Sequence, residues 1–291
     1  MPPGQGIVEA APASGWDSGS ARLLLTLSPD MDLHLRPKKS FGQHFLVNEG
    51  AVHAIVQELL ASPAPRLLEI GPGPGVLTAP LLADGRPLWA LELDPEACAL
   101  LRARWGGEPS FHLLEGDAVR VPLPEGPAWA IGGNLPYNAS TAILARCLCE
   151  AIPWERMVFM FQREVGERLL GRPGTRDYGP LSVLAQLTCT MTRLLRLGPG
   201  SFLPPPKVES VVIAFRPRRD ALPLDGRKSL LELLHRGFAH RRKTLLNNLQ
   251  AWRGPVRARE FLAAAEIPPS LRAEALPPDQ WMRLLAVLLG G

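Results

Sequence analysis

The sequence lacks any apolar run long enough to cross a membrane, which takes about 18 to 20 residues. Its longest apolar stretches, such as Met157 to Phe161, have the length of a core strand. Cysteine is also scarce, with four in 291 residues. Only Cys147 and Cys149 lie close together, and their spacing suits neither a zinc site nor a redox pair. We therefore predict a cytoplasmic protein with reduced thiols and no membrane segment.

The chain also has little net charge, +4 at pH 7, but the charge is distributed unevenly. Residues 201 to 291 hold 15 Lys and Arg against eight Asp and Glu, a net charge of +7. Residues 1 to 200 hold 17 against 20, a net charge of −3. This concentration of positive charge predicts that the C-terminal third faces a polyanion.

Composition and hydropathy divide the chain into three parts. Hydrophobic residues make up 46% and charged residues 21%, enough to bury a substantial core. Residues 1–36, rich in Gly, Ala, Ser and Pro, are predicted to be a disordered extension. Residues 37–218 alternate short apolar runs with amphipathic ones, which is typical of an α/β domain with a mainly parallel sheet flanked by helices. Residues 219–291 show helical, basic patterns, which predict a small all-helical domain.

Apolar runs predict the strands, and apolar residues three and four apart predict the helices. The predicted strands are residues 66–70, 88–93, 111–114, 129–132, 156–162 and 208–215. The predicted helices include residues 49–61 and 76–83, and in the C-terminal part residues 230–238, 243–251, 258–265 and 278–289.

A glycine-rich loop, Gly71-Pro72-Gly73-Pro74-Gly75, follows the first predicted strand and precedes a helix. Glycines at such a place let the backbone approach a ligand and direct amides at it. The G-x-G-x-G spacing differs from the G-x-G-x-x-G of dinucleotide sites, and Glu69 near the end of the strand is unusual for NAD. The loop therefore predicts a nucleotide-like ligand and makes an NAD-dependent oxidoreductase the weaker alternative.

Two acidic residues follow the next two strands. Glu92 ends the second strand, 21 residues after Gly71, where a carboxylate can accept hydrogen bonds from both ribose hydroxyls. Asp117 follows the third strand and is placed to accept a bond from an adenine amino group. Each alone also fits a helix cap or a surface acid, but the carboxyl ends of parallel strands meet at the ligand-binding edge of a sheet. Since the loop has no basic residue for a phosphate, the pattern favours a nucleoside such as the adenosyl part of S-adenosylmethionine.

The tetrapeptide Asn134-Leu135-Pro136-Tyr137 follows the fourth strand. An exocyclic amino group is a poor nucleophile because its lone pair is delocalised into the base. The Asn134 side-chain oxygen and the Leu135 carbonyl can accept from an adenine N6 amino group and turn its lone pair toward a sulfonium methyl. Tyr137 can stack on the extruded base. This chemistry depends on positioning and requires neither a metal nor a covalent nucleophile, although the motif alone also fits a simple turn.

Through these motifs the sequence resembles the ribosomal RNA adenine dimethyltransferases, most closely the bacterial small-subunit enzymes. The resemblance extends from about Lys38 to the C-terminus. Besides the glycine loop it rests on these segments: Lys39-Ser40-Phe41-Gly42-Gln43-His44-Phe45-Leu46, Leu91-Glu92-Leu93-Asp94, Asn134 to Asn138, Phe202-Leu203-Pro204-Pro205-Pro206-Lys207-Val208 and Arg241-Arg242-Lys243-Thr244-Leu245.

The resemblance implies a Rossmann-like class I methyltransferase fold and the transfer of methyl groups from S-adenosylmethionine. The expected substrate is a pair of adjacent adenosines in the 3′-terminal hairpin loop of 16S ribosomal RNA, in an immature 30S subunit. Each base would receive two methyl groups, and the enzyme is expected to be a monomer.

The resemblance also implies roles for individual residues. The expected catalytic residues are Asn134, Leu135, Pro136 and Tyr137, and the expected cofactor-binding residues are His44, Leu46, Gly71, Glu92, Asp117 and Asn134. His44 and Leu46 would act largely through their backbone groups. Phe202 matches an aromatic residue that sandwiches the target base opposite Tyr137, although a core position before the proline turn is an equal alternative.

The basic run Arg241-Arg242-Lys243 is predicted to lie on a helix and, given an RNA substrate, to contact phosphates. Without that context, a solvated charged face is the usual explanation of such a run. Two further functions stay open at this point. One is a 23S ribosomal RNA adenine methyltransferase of the antibiotic-resistance type, which the triple proline at residues 204–206 disfavours. The other is a non-catalytic ribosome assembly factor with the same fold, which the complete set of cofactor residues disfavours.

Overall fold

A computed structural model describes Leu35, Pro37, Lys38 and residues 43–290. The extension predicted for residues 1–36 therefore lies, apart from Leu35, outside the described residues. Within the described part, none of the helices is both long and apolar enough to span a membrane.

Strands and helices alternate through most of the chain. The strands are β1 (Phe45–Leu46), β2 (Arg66–Ile70), β3 (Leu88–Glu92), β4 (Phe111–Glu115), β5 (Trp129–Asn134), β6 (Trp154–Gln162), β7 (Cys189–Leu197), β8 (Phe202–Leu203) and β9 (Ser210–Pro217). The helices are α1 (Glu49–Leu60), α2 (Thr78–Leu82), α3 (Pro95–Trp105), α4 (Ser140–Cys149), α5 (Arg163–Leu169), α6 (Pro180–Thr188), α7 (Leu224–Gly237), α8 (Leu245–Arg253), α9 (Pro255–Ala264) and α10 (Pro278–Gly290).

Seven of these strands form one sheet in the order β4-β3-β2-β5-β6-β9-β7. The five strands from β4 to β6 in this order are parallel, and β9 joins β6 antiparallel. β2 has no exposed residue, as expected for a central strand that is covered on both faces. The predicted mainly parallel sheet with flanking helices is confirmed.

The six predicted strands are present with ends shifted by at most two residues. Three of the observed strands, β7, β1 and β8, were not predicted. β7 was missed because its sequence, Cys-Thr-Met-Thr-Arg-Leu-Leu-Arg-Leu, has no regular apolar alternation, which is compatible with its half-exposed place at the sheet edge. The two-residue strands β1 and β8 pair only with each other, antiparallel, and are too short for any sequence pattern.

The chain divides into two compact units. The first comprises residues up to Ile143, Ile152–Arg163 and Thr192–Arg216, and the second comprises Leu144–Ala151, Glu164–Met191 and the residues from Pro217 on. The second unit thus begins close to the predicted boundary at residues 218/219, but it also takes in two earlier segments. The reason is that α6 packs on α7 and α10, so that chain from the middle of the sequence completes the helical core.

Candidate active site

In the first unit, a cleft of about 400 Å³ opens at the carboxyl ends of β2, β3 and β5. This volume lies within the range of roughly 300–1,000 Å³ that is usual for small-molecule sites. The cleft is lined by eight of the predicted site residues, which the structure brings together from three strands and the loops around them: His44, Gly71, Glu92, Asp117, Asn134, Leu135, Pro136 and Tyr137.

The glycine loop forms one wall of the cleft. Gly71 and Gly73 have φ angles of +68° and +54°, a backbone region that residues with a side chain rarely adopt. A Cβ on Gly73 would lie 3.1 Å from the Phe45 ring, so the loop and the N-terminal segment approach each other closely. At Gly73 a side chain would therefore crowd the Phe45 ring.

Glu92 is buried at the end of β3, and its carboxylate accepts three backbone hydrogen bonds. Oε1 accepts from the amides of Leu93 and Asp94 at 2.8 and 2.9 Å, and Oε2 accepts from the amide of Gly73 at 3.0 Å. A carboxylate oxygen has about two acceptor sites, so Oε2 retains capacity for a ligand hydroxyl. The three amides hold the carboxylate in one orientation.

Asp117 and two apolar residues also line the cleft. Asp117 Oδ1 accepts from the Val119 amide at 2.8 Å, and Oδ2 lies 3.6 Å from Arg120 Nε. Leu93, directly after Glu92, is 50% exposed and lines the cleft together with Val119. An apolar side chain exposed beside two carboxylates suits the flat face of a purine. Leu93 was not among the predicted site residues, although an apolar residue between Glu92 and the helix cap Asp94 could have indicated an apolar contact with the ligand.

Asn134, the last residue of β5, has its amide group oriented by the N-terminal segment. Its Nδ2 donates to the carbonyl oxygen of His44 at 2.7 Å. Because the nitrogen is engaged there, Oδ1 is the acceptor that the side chain offers to the cleft. The backbone carbonyl of His44 is thus used as a structural acceptor.

Tyr137 is half-buried and held at both its ring and its hydroxyl. Its hydroxyl lies 2.9 Å from Ser210 Oγ, and its ring stacks on that of His44 with centroids 5.6 Å apart and planes 27° apart. Burial raises the pKa of the Tyr137 phenol, so that it stays protonated at neutral pH. His44 Nδ1 in turn lies 2.7 Å from the carbonyl oxygen of Pro204, which can only accept, so Nδ1 carries the proton.

Two predicted site residues lie in the core instead of the cleft. Phe202 is 3% exposed and belongs to the hydrophobic core, where β8 pairs it with Leu46 of β1. The structure therefore supports the alternative reading of Phe202 as a core residue, and the ring that faces Tyr137 is that of His44. The side chain of Leu46 also packs into the core, and the expected contact of its backbone groups with the cofactor stays a prediction. Both residues are buried because the short β1–β8 pair covers the sheet.

Glu69 is a further acidic residue beneath the glycine loop and is fully buried. Its Oε2 accepts a hydrogen bond of 2.6 Å from Thr78 Oγ1. Burial raises the pKa of Glu69 to about 8, with the nearby Glu92 carboxylate adding to the rise. Glu69 is therefore mostly protonated at neutral pH. Its carboxyl group bonds to a side-chain hydroxyl, and that of Glu92 bonds to three backbone amides.

The run Arg241-Arg242-Lys243, in the second unit, lies in a turn between α7 and α8, so its prediction on a helix was wrong. The turn is fixed by Asn248, whose side chain bonds to the backbone of Gly237 and His240. Helix α8 begins only at Leu245, because the Thr244 side chain caps it by accepting from the Asn247 amide. All three basic side chains are exposed.

Arg241 differs from its two neighbours, because its guanidinium bonds within the second unit. Nη2 donates to the carbonyl oxygen of Arg176 at 2.6 Å and to Glu274 Oε2 at 3.2 Å, and Nη1 donates to the carbonyl oxygen of Tyr178 at 3.3 Å. Arg241 therefore holds the loop before α6 in place.

The donor and acceptor set of the cleft fits S-adenosylmethionine. Two carboxylates, an apolar rim and a loop whose glycines let the backbone approach a ligand suit an adenosyl group, and the glycine loop holds no basic residue for a phosphate. Comparison with known proteins agrees. The model of the family described as "Ribosomal RNA adenine dimethylase" matches residues 34–289. The chain belongs to this family.

Curated relatives match this dimethylase over most of its length and most of their own. Proteins named "Ribosomal RNA small subunit methyltransferase A" from Thermosynechococcus vestitus and Pseudomonas aeruginosa are each 40% identical to it. The two matches cover 87% and 86% of this chain and 97% and 93% of the relatives. The protein is thus an S-adenosylmethionine-dependent ribosomal RNA adenine dimethyltransferase, as predicted.

Solved structures support the fold of the dimethylase. A dimethyladenosine transferase from Plasmodium falciparum has a TM-score of 0.69 at 23% identity, covering 85% of this chain and 98% of its own. The 23S rRNA methyltransferase ErmE has a TM-score of 0.60 at 26% identity, covering 84% of this chain and 99% of its own.

Proposed function

We propose that this dimethylase transfers two methyl groups to each of two adjacent adenosines in the 3′-terminal hairpin loop of 16S ribosomal RNA. The proposed substrate is the RNA within an immature 30S subunit, and the enzyme acts as a cytoplasmic monomer. The names of its 40% identical relatives, which specify the small subunit, support this branch of the family.

The orientation of the Asn134 amide is the observation that carries the proposal. Its nitrogen is bonded to the His44 carbonyl oxygen, which directs the acceptor Oδ1 to the cleft. An acceptor at this place can bind an amino hydrogen of adenine N6, and the backbone carbonyl of Leu135 can bind the other. Both bonds localise the lone pair on N6, as nucleophilic attack requires.

The bound cofactor supplies a methyl group that is already activated by a positively charged sulfur. The residues of the chain then contribute position and environment. Tyr137, whose hydroxyl is held by Ser210, offers its ring to the extruded base. Glu92 and Asp117 fix the nucleoside part of the cofactor at the opposite end of the cleft. Catalysis then arises from holding the nitrogen and the methyl carbon in line.

For the RNA backbone we propose Arg242 and Lys243 as the phosphate contacts. Both are exposed cations on one turn, so they can exchange counterions for phosphates. Arg241, which the sequence groups with them, is assigned to positioning because its guanidinium is bonded to the loop at residues 176–178 and to Glu274. We therefore assign the contact with RNA phosphates to two of the three basic residues at positions 241–243.

The likeness to ErmE makes 23S ribosomal RNA the alternative substrate. Incubation with immature 30S particles, and in parallel with 23S RNA, in the presence of labelled S-adenosylmethionine distinguishes the two. We expect label in the 3′-terminal hairpin of 16S RNA, and mass analysis of that fragment should give two methyl groups on each of two adjacent adenosines. Label confined to 23S RNA contradicts the proposal, and the Asn134→Ala variant provides the background.

A further inference from the structure

The N-terminal segment Gln43 to Phe45 forms a wall of the cleft, although little regular structure holds it there. Its strand, β1, has two residues, and its partner β8 also has two. On the side of β5, the segment is fixed by the bond from Asn134 Nδ2 to the His44 carbonyl oxygen. A wall with so few backbone bonds needs a second attachment to stay closed over a ligand.

Besides the bond from His44 Nδ1 to the Pro204 carbonyl oxygen, Asp94 supplies such an attachment, and its side chain has no solvent exposure. Its Oδ1 lies 2.7 Å from Lys38 Nζ, and its Oδ2 accepts from Gln43 Nε2 at 3.1 Å. Gln43 Oε1 in turn accepts from the Lys38 backbone amide at 2.9 Å. Lys38, Gln43 and Asp94 thus form a closed ring of hydrogen bonds, which we call the latch.

The charges of the latch fit an ion pair that persists at neutral pH. Although burial opposes it, the bonds from Lys38 and Gln43 lower the pKa of the Asp94 carboxyl. The bond to Asp94 raises the pKa of Lys38. Both groups therefore carry their charge, and opening the wall would leave the Asp94 carboxylate without its cation.

The latch is also connected to the group that binds the ribose under the proposed function. The backbone amide of Asp94 donates to Glu92 Oε1 at 2.9 Å, while Glu92 Oε2 receives the Gly73 amide at 3.0 Å. One residue thus links the cleft carboxylate to the cleft wall. A ligand that occupies the cleft would lie between Glu92 and the segment that Asp94 holds.

We propose that Lys38 and Asp94 are positioning residues that hold the wall Gln43 to Phe45 closed over the cofactor and slow its release. The inference rests on the proposed assignment of the cleft as the cofactor site. The ammonium group of Lys38 faces the carboxylates of Asp94 and Glu96, as this role requires.

A purely structural role of Asp94 has to be separated from this one. Asp94 also caps α3, because its Oδ1 accepts from the Glu96 amide at 3.0 Å. Lys38→Met leaves this cap intact and removes only the cation. Asp94→Asn keeps an acceptor for the cap and removes the anion.

The experiment measures the dissociation rates of S-adenosylmethionine and S-adenosylhomocysteine from the full chain by stopped-flow displacement. Loss of a partly exposed charged hydrogen bond should raise the rate about five- to tenfold in Lys38→Met. Asp94→Asn should give a similar increase, and the double variant should show no more than either single one. Lys38→Arg, which keeps a donor and a charge, should stay within about twofold of the parent.

Glu96→Gln is the matched control. It removes the other carboxylate that Lys38 contacts, at 3.0 Å, but this one is 64% exposed. Its dissociation rate should stay within about twofold of the parent, as expected for an exposed pair. Thermal unfolding of each variant identifies any effect that comes from the fold.

Unchanged dissociation in Lys38→Met, with an unchanged unfolding temperature, overturns the latch. Glu92→Ala separates this failure from a failure of the site itself. If Glu92→Ala releases the cofactor faster and Lys38→Met does not, the cleft holds the cofactor and the latch alone is wrong. If neither variant changes the rate, the cofactor binds elsewhere and the latch proposal fails together with the site.

Discussion

The cleft of the first unit and the basic turn of the second unit use charged residues in different ways. In the cleft, Glu92 is buried and held by three backbone amides, and Glu69 is buried and protonated. In the turn, Arg242 and Lys243 are exposed to solvent. Buried groups fixed by the backbone act through geometry, so single changes have large effects. Exposed cations act through their number and through salt, so their effects are smaller and additive.

The largest effect is expected for Asn134→Ala in the cleft. Removing the acceptor for the amino group should lower the rate of methyl transfer by about 10²–10³-fold, the range found for a single preorganised hydrogen-bonding group. Cofactor binding should stay within about tenfold, since Glu92 and Asp117 remain. Transfer to 30S particles and equilibrium binding of S-adenosylmethionine measure the two quantities. An undiminished transfer rate would show that Asn134 is not a catalytic residue.

The next largest effect is expected for Glu69→Gln, which should change how the free energy of unfolding depends on pH. The pKa of Glu69 is raised to about 8 from a usual value near 4.5. The folded state therefore binds more protons than the unfolded state between these values, and the free energy of unfolding falls as pH rises from about 4.5 to 8. Glutamine keeps the acceptor for Thr78 without a titrating proton, so the variant should lose this decline.

Urea unfolding at several pH values from 4.5 to 8.5 checks this prediction. The difference between parent and variant isolates the contribution of Glu69 from other titrating groups, and the exposed Glu96→Gln change serves as the control. A pH dependence that is the same in Glu69→Gln and in the parent contradicts a raised pKa.

In the basic turn, Arg242→Ala combined with Lys243→Ala should weaken RNA binding and reduce its salt dependence. Two lost phosphate contacts should lower the slope of log K against log salt by about 1.4 to 1.8. Methyl transfer at saturating RNA should change little, because the cleft is untouched. RNA-binding titrations at four or five salt concentrations give the slope. An unchanged slope returns the two cations to a merely solvated surface.

The smallest effect on RNA binding is expected for Arg241→Ala, although this residue belongs to the same run. Because its guanidinium is bonded to the carbonyls of Arg176 and Tyr178, the salt slope should change by less than about half a unit. Trypsin should instead cut after Arg176 several times faster, because the loop loses its attachment. Arg242→Ala is the control and should leave cleavage unchanged. A full unit of slope lost in Arg241→Ala would make it a phosphate contact.

Sequence patterns predicted the parallel sheet because each central strand is an apolar run, and apolar runs show directly in a sequence. The ligand edge followed from the same pattern, since Gly71, Glu92 and Asn134 each stand at the end of such a run. β7 escaped prediction because Thr and Arg interrupt its apolar residues. The prediction that the basic run lies on a helix was wrong because the buried side chain of Asn248, several residues later in the sequence, holds this segment in a turn.

The fold class, the edge of the sheet at which the cleft opens and the residue types available for adenine methylation all followed from the sequence alone. These depend on periodicity and spacing, which are local properties of the chain. The roles of individual residues required the folded structure. Phe202 lies in the core, whereas the His44 ring faces Tyr137. Arg241 bonds to a loop of the second unit, whereas Arg242 and Lys243 are exposed to solvent. Burial and hydrogen-bond partners decide such differences, and the contacts concerned join residues at least 33 positions apart along the chain.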